Sequence, residues 1–94
     1  MKGMRFDVQV QVRLRDGVSD PEGATIERSL PALGFDGVGG VGVGKVIHFT
    51  LDADSEATAR AEVTDMCERF LTNPVIEQSD ITITEANETA AASA

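Results

Sequence analysis

The feature that most constrains this chain is the stretch 4–15, in which apolar and polar side chains alternate without a break. Alternation with period two is typical of a β-strand with one buried and one solvent-facing side. A strand with one wet face belongs to an antiparallel or mixed sheet rather than to a buried parallel one. The expected buried set is Met4, Phe6, Val8, Val10, Val12 and Leu14.

A helix is predicted after the turn at 16–19. Asp20 can cap its first turn, with Pro21 at the first helical position. Ser19 and Glu22 offer an alternative start as a capping box. Pro31 should shorten the last turn, because it lacks a backbone donor, and Gly34 supplies the stop. The apolar face of this helix comprises Ile26, Leu30 and Leu33.

The stretch 38–52 keeps its apolar residues at odd positions, although Lys45 stands where an apolar residue is expected. Two interpretations follow: Gly44-Lys45 is a hairpin turn, or one long strand bends there with a bulge. We favour two strand segments, joined by a tight turn or by a kink. The odd-position apolar residues are Val41, Val43, Ile47, Phe49 and Leu51.

A second helix opens at 54–56 with acidic residues near its positive end. Asn73-Pro74 closes it. The segment 81–84 alternates as a last strand. The predicted apolar stripe of the helix is Ala59, Val63, Met66, Phe70 and Leu71.

The order strand, helix, one or two strands, helix, strand predicts an α+β fold. Because the first strand has one polar face, both helices should cover the other, as in a two-layer sandwich of ferredoxin-like character, β-α-β(β)-α-β, with a mainly antiparallel sheet. A chain of 94 residues forms one domain, which we place at 1–84. Residues 85–94 are small and polar and are expected to form a disordered tail.

The net charge of the chain disfavours two classes of partner. The net charge is −8, which disfavours nucleic acid and anionic membranes, since both attract dense Lys and Arg. No apolar run reaches the roughly 18 residues of a spanning helix. With no secretory pattern in 1–7 and a single cysteine, we expect a cytoplasmic protein.

Two glycine-rich stretches match nucleotide-binding motifs but lack other features that those motifs require. Residues 37–42 match GxGxxG, but a dinucleotide site needs a helix after it, whereas here a strand follows. Residues 39–45 match GxxxxGK, but Val46 stands where a P-loop needs Ser or Thr. We therefore expect neither a dinucleotide nor a phosphate loop.

The sequence assembles no reactive centre. His48 is the only histidine, and we expect a solvent-facing or interface residue. Cys67 lies late in its helix beside Glu68, where a thiol is not activated, so it should be a packing residue. One Cys and one His cannot build a structural zinc site, and no metal is expected.

Three ordered stretches resemble the PurS family, the small subunit of phosphoribosylformylglycinamidine synthase. Residues 14–23, LRDGVSDPEG, are similar to the family's L-K-x-G-V-x-D-P-x-G. Residues 43–45 resemble its V-R-x-G-K strand, although Gly42 replaces the usual Arg. Residues 66–77, MCERFLTNPVIE, are similar to M-C-E-K-L-L-A-N-P-V-I-E, but Gln78 and Ser79 then replace a frequent acid and aromatic.

The resemblance implies a non-catalytic, homo-oligomeric subunit, a homodimer or homotetramer. It would help couple a glutaminase subunit to a large ATP-dependent synthetase subunit, so that ammonia reaches formylglycinamide ribonucleotide in purine biosynthesis. ATP and Mg²⁺ would be used by the complex and no cofactor would be bound by this chain. The alternative is an ACT-type small-molecule-binding regulatory dimer, suggested by the glycine-rich segment 37–44.

The resemblance suggests roles for only a few residues of this chain. Lys45 breaks the local pattern, as functional residues often do, and we expect it and His48 to contact a partner. A solvent-facing turn lysine is the equal alternative for Lys45. Structural roles are expected for Asp20, Pro21, Gly23, Gly44, Asn73 and Pro74.

Overall fold

The structure, a computed structural model, describes residues 3–86. Three antiparallel strands form one sheet in the order β2-β1-β3, with the first strand in the middle. The predicted α+β class is confirmed. The elements are β1 (Met4–Leu14), α1 (Pro21–Ser29), β2 (Gly44–Ala53), α2 (Glu56–Met66) and β3 (Glu77–Glu85), with a 3₁₀ turn at Pro31–Leu33 and a π-helical turn at Cys67–Leu71.

The core lies between one face of the sheet and α2. The alternation in β1 places its even-numbered side chains on that face, and Val10 is fully buried. Ala59 and Val63 of α2 pack against them, followed by Cys67 of the π-helical turn, which is 4 % exposed. Cys67 is thus the packing residue that the sequence predicts.

Helix α1 begins and ends where the sequence predicts. Asp20 caps it, Pro21 is its first residue, and Gly34 follows the 3₁₀ turn in the left-handed conformation with φ 96°. The expected apolar face of α1 contributes nothing to the buried core. Ile26 is 40 % exposed and Leu33 is 70 % exposed.

Strand β2 corrects the expectation of two strand segments. It is one strand from Gly44 to Ala53, and residues 35–43 form no strand. Val41 and Val43 lie in the connection before β2, where their backbone N atoms donate to side chains of Glu27 and Asp20 rather than pairing with β1. Lys45 lies inside the strand opposite Val12, not in a turn.

The last strand runs one residue past the predicted boundary at 84, because Glu85 pairs with Phe6. Of the predicted tail, 85–94, residues 87–94 lie outside the described residues. Within residues 3–86 no helix is long and apolar enough to cross a membrane.

Candidate functional site

The carboxylate of Asp20 joins the start of α1 to the connection before β2. Oδ1 accepts a hydrogen bond from the Gly23 backbone N at 2.9 Å, and Oδ2 accepts one from the Val43 N at 2.9 Å. Both bonds favour the charged carboxylate and therefore hold the pKa of Asp20 below its usual range. The bond from Gly23 contributes most to this lowering. The Ser19–Glu22 alternative is not the one adopted.

Gly23 permits this arrangement because the connection passes directly over it. A Cβ at Gly23 would lie 2.5 Å from the carbonyl oxygen of Val41. The Val41 N donates to Oε1 of Glu27 at 3.0 Å. We call the contacts made by Asp20, Gly23, Glu27, Val41 and Val43 the Asp20 clasp. Its role is to fix the direction in which the chain enters β2.

Asn73 and Pro74 form a second fixed turn, between the π-helical turn and β3. The side-chain oxygen of Asn73 accepts from the Val75 N at 3.2 Å, and its carbonyl accepts from the Glu77 N at 2.8 Å. Arg15, just after β1, donates from Nε to the Pro74 carbonyl at 2.9 Å. The turn is therefore tied to both flanking elements.

Gly44 and Lys45 begin β2. A Cβ at Gly44 would lie 2.5 Å from the Val12 carbonyl oxygen, so this position requires the close approach that only glycine allows. Lys45 is exposed and shares its face of the strand with Ile47, Phe49 and Leu51.

His48 lies on the opposite face of β2 from Lys45, because the two residues are three positions apart and side chains alternate along a strand. Lys45 and His48, the two residues expected to contact a partner, therefore do not lie on one surface. His48 is paired across the sheet with Gln9, whose other neighbour is Thr82 on β3.

The polar face around His48 is an open depression of about 420 Å³. Exposed ion pairs flank it: Arg5 Nε lies 3.0 Å from Asp52 Oδ1, and Arg13 Nη2 lies 3.0 Å from Asp80 Oδ2. Along residues 3–86 no group of three or more His, Cys, Asp and Glu is placed to hold a metal ion. Polar side chains that can form hydrogen bonds are spread over this face of the sheet, which suits contact with a protein.

Apolar residues at and just after the end of α2 are exposed, which the sequence pattern does not predict. Phe70, predicted to join the buried stripe, is 86 % exposed. The core-facing series is Ala59, Val63, Cys67 and Leu71, and its last step crosses the π-helical turn, which is wider than an α-helical one. Cys67 continues the four-residue spacing of Ala59 and Val63 in the sequence. This spacing could have predicted the core-facing series.

Comparison with known proteins places nearly all of the described chain in one family. The family model described as PurS, phosphoribosylformylglycinamidine (FGAM) synthase, matches residues 7–85. The phosphoribosylformylglycinamidine synthase subunit PurS of Methanothermobacter thermautotrophicus is 48% identical over 82 residues, covering 87% of this chain and 96% of that protein.

Solved structures agree. The crystal structure of PurS from Methanocaldococcus jannaschii, a subunit of formylglycinamide ribonucleotide amidotransferase, has a TM-score of 0.78 at 35% identity, covering 87% of this chain and 99% of that one. A chain in the structure of PurLQS from Thermotoga maritima has a TM-score of 0.74 at 34% identity, with 87% and 98% coverage. These matches do not favour the ACT-type alternative.

Proposed function

The chain belongs to the PurS family of phosphoribosylformylglycinamidine synthase, and on that premise we propose that it is the small accessory subunit of this enzyme in purine biosynthesis. The observation that carries the proposal is the extent of the family match, which spans residues 7–85. A similar chain, at 34% identity, comes from a structure of PurLQS. The partners here would be a PurL-type synthetase subunit and a PurQ-type glutaminase subunit.

In this role the chain supplies surfaces and the other subunits supply chemistry. The glutaminase releases ammonia from glutamine, and the synthetase uses ATP and Mg²⁺ to add it to formylglycinamide ribonucleotide. We propose that this chain binds no cofactor of its own and acts in the cytoplasm. The polar sheet face and the exposed apolar side chains support a contact-making role.

We further propose that the subunit self-associates along β2. Both edge strands carry charges: β3 carries Glu77, Asp80 and Glu85, and β2 carries Lys45 and Asp52. The longest run without an acid, Lys or Arg on either edge is 46–51 of β2. An uncharged run on an edge pairs readily with another strand, and charges on an edge oppose such pairing.

The core is also open on the β2 side. Ile47, Phe49 and Leu51 pack against the core but stay partly exposed. Helix α1 has nine residues, and an isolated helix of this length is marginal in water without tertiary packing. A second copy across β2 would extend the sheet and give these apolar surfaces a neighbour, as a homodimer or homotetramer.

Reconstitution tests the function. The purified chain is mixed with its synthetase and glutaminase, and product formation is measured with glutamine or with ammonium as the nitrogen source. Glutamine-dependent activity should require the chain, and ammonium-dependent activity should need it much less. Full glutamine-dependent activity without the chain would refute the proposal.

A further inference from the structure

Helix α1 and the connections that flank it carry apolar side chains that the core of the chain leaves uncovered. We define the α1 arm as residues 20–43. Across residues 3–86, the buried hydrophobic core includes no residue of α1. Four large apolar side chains of the arm are between 40 % and 70 % exposed: Ile26, Leu33, Phe35 and Val38. Large apolar side chains gathered on one segment, rather than scattered singly, indicate a contact surface.

The dimensions of the molecule agree with an arm that stands away from the core. The radius of gyration is 17.4 Å, whereas a compact chain of this length has about 12 Å. The longest axis measures 56 Å, and the longest strand, β1 with 11 residues, accounts for about 36 Å at 3.3 Å per residue. The arm connects the end of β1 to the start of β2, and it extends from that end of the sheet.

The arm is ordered although it adds nothing to the core of its own chain. The Asp20 clasp holds the start of α1 to the connection before β2. At the other end of α1, the carbonyl oxygen of Leu30 accepts from the Leu33 N at 2.9 Å and from the Phe35 N at 3.1 Å. A surface that is already ordered loses little conformational entropy when it binds a partner.

The β2 side of the core-facing sheet surface fits the arm in polarity and in charge. Its odd-numbered residues at 47–51 are apolar and only partly buried. The arm carries four acids and one arginine. The charged residue on this side of the surface is Lys45, opposite Val12, whereas the β3 side carries Glu77 and Glu85. The negative arm therefore complements the β2 side and is repelled by the β3 side.

We propose that two copies of this chain exchange their α1 arms. Each arm lays its apolar side chains on the β2 side of the core-facing sheet surface of the second copy, over Ile47, Phe49 and Leu51. A second copy is the occupant because one chain carries both the projecting arm and the open surface, and a two-fold pair forms the contact twice. The arm also runs directly into β2. The inference rests on the self-association along β2 in the proposed function.

Nuclear Overhauser effects in a mixture of ¹³C-labelled and unlabelled copies of the full chain locate the arm directly. Isotope filtering retains only contacts between the two copies. The methyl groups of Ile26 and Leu33 should show such contacts to the ring of Phe49 on the second copy. Arm-to-sheet contacts found only within one copy, or no contact between copies, would overturn the inference.

Sedimentation velocity of Leu33→Ser measures what the arm contributes to self-association. The matched control is Val75→Ser, because Leu33 and Val75 are 70 % and 80 % exposed and Val75 lies outside the arm. Leu33→Ser should weaken self-association at least about tenfold, since the pair loses two apolar contacts, and Val75→Ser less than about twofold. Equal effects would overturn the inference.

Failure of the proposed function gives a different result. The unaltered chain would then show the contacts between copies but would not support glutamine-dependent activity in the reconstituted complex. A chain that supports this activity while its arms make no contact with a second copy would refute the arm exchange alone.

Discussion

Replacing Gly23 by Ala separates two physical effects of opposite sign. In an ordinary helix interior Gly→Ala stabilises by about 0.8–1.0 kcal/mol, since Ala loses less backbone entropy. Here the new Cβ would lie 2.5 Å from the Val41 carbonyl oxygen, nearly an ångström inside the 3.4 Å of ordinary contact. Because that neighbour is backbone and not the end of a flexible side chain, the connection must move.

The movement should cost more than the propensity gains. Overpacking costs about 1–3 kcal/mol, and displacing Val41 also strains its hydrogen bond to Glu27 at 3.0 Å and that of Val43 to Asp20 at 2.9 Å. The overpacking cost less the propensity gain leaves about 0–2 kcal/mol. Strain in the two hydrogen bonds adds to this, so we expect Gly23→Ala to destabilise the clasp by about 1–2 kcal/mol.

Hydrogen exchange of the Val41 and Val43 amides is the direct measurement, because both amides bond within the clasp. Both should exchange at least about fivefold faster in Gly23→Ala. The control is Gly39→Ala, where the new Cβ meets nothing within 4 Å. Equal or slower exchange in Gly23→Ala would show that the close approach does not constrain this position.

Three further substitutions test other parts of the structure. Because the folded-state pKa of Asp20 is lowered, its carboxylate stabilises the clasp above the ordinary value of 3.8, and this contribution is lost as pH falls through the folded pKa. Asp20→Asn should flatten the acid dependence of Val43 amide protection; an unchanged profile would contradict this. Val10→Ala, at a fully buried position, should lower the free energy of unfolding in urea by about 1.5–3 kcal/mol, against about 0.5 kcal/mol or less for the half-exposed Val46→Ala. His48→Lys places a charge on the proposed self-association edge and should shift light scattering toward smaller species, whereas Thr82→Lys, across Gln9 on β3, should not; equal effects would move the interface away from β2.

The parts of the fold that follow one strong local pattern could be predicted from sequence. The alternation in β1 predicted which of its faces is buried, although Met4 and Leu14 at its ends are only partly buried. Asp20-Pro21 predicted the start of α1, because capping is a contact among neighbours. Val41 and Val43 suggested a strand that does not form, because a connection can alternate partly buried and exposed residues as a strand does. What separates them is the clasp to α1, a contact between residues distant in sequence.

The site was less predictable for a similar reason. Lys45 and His48 could be named from composition and pattern, but a continuous β2 places them on opposite faces of the sheet. Phe70 fits an α-helical stripe, and only the π-helical turn moves it outward. The family was identified from three stretches that follow one another in the family's order along the chain. Rules for local secondary structure assign only turns and helix caps to these stretches.

The central place of β1 has a consequence for how the polypeptide assembles. β1 is synthesised before both strands that pair with it, since these begin only at Gly44 and Glu77. Until the second of them is synthesised, an 11-residue strand with one apolar face keeps an unpaired edge. Every strand contact therefore closes a long loop, a topology that slows folding and favours capture by chaperones during translation.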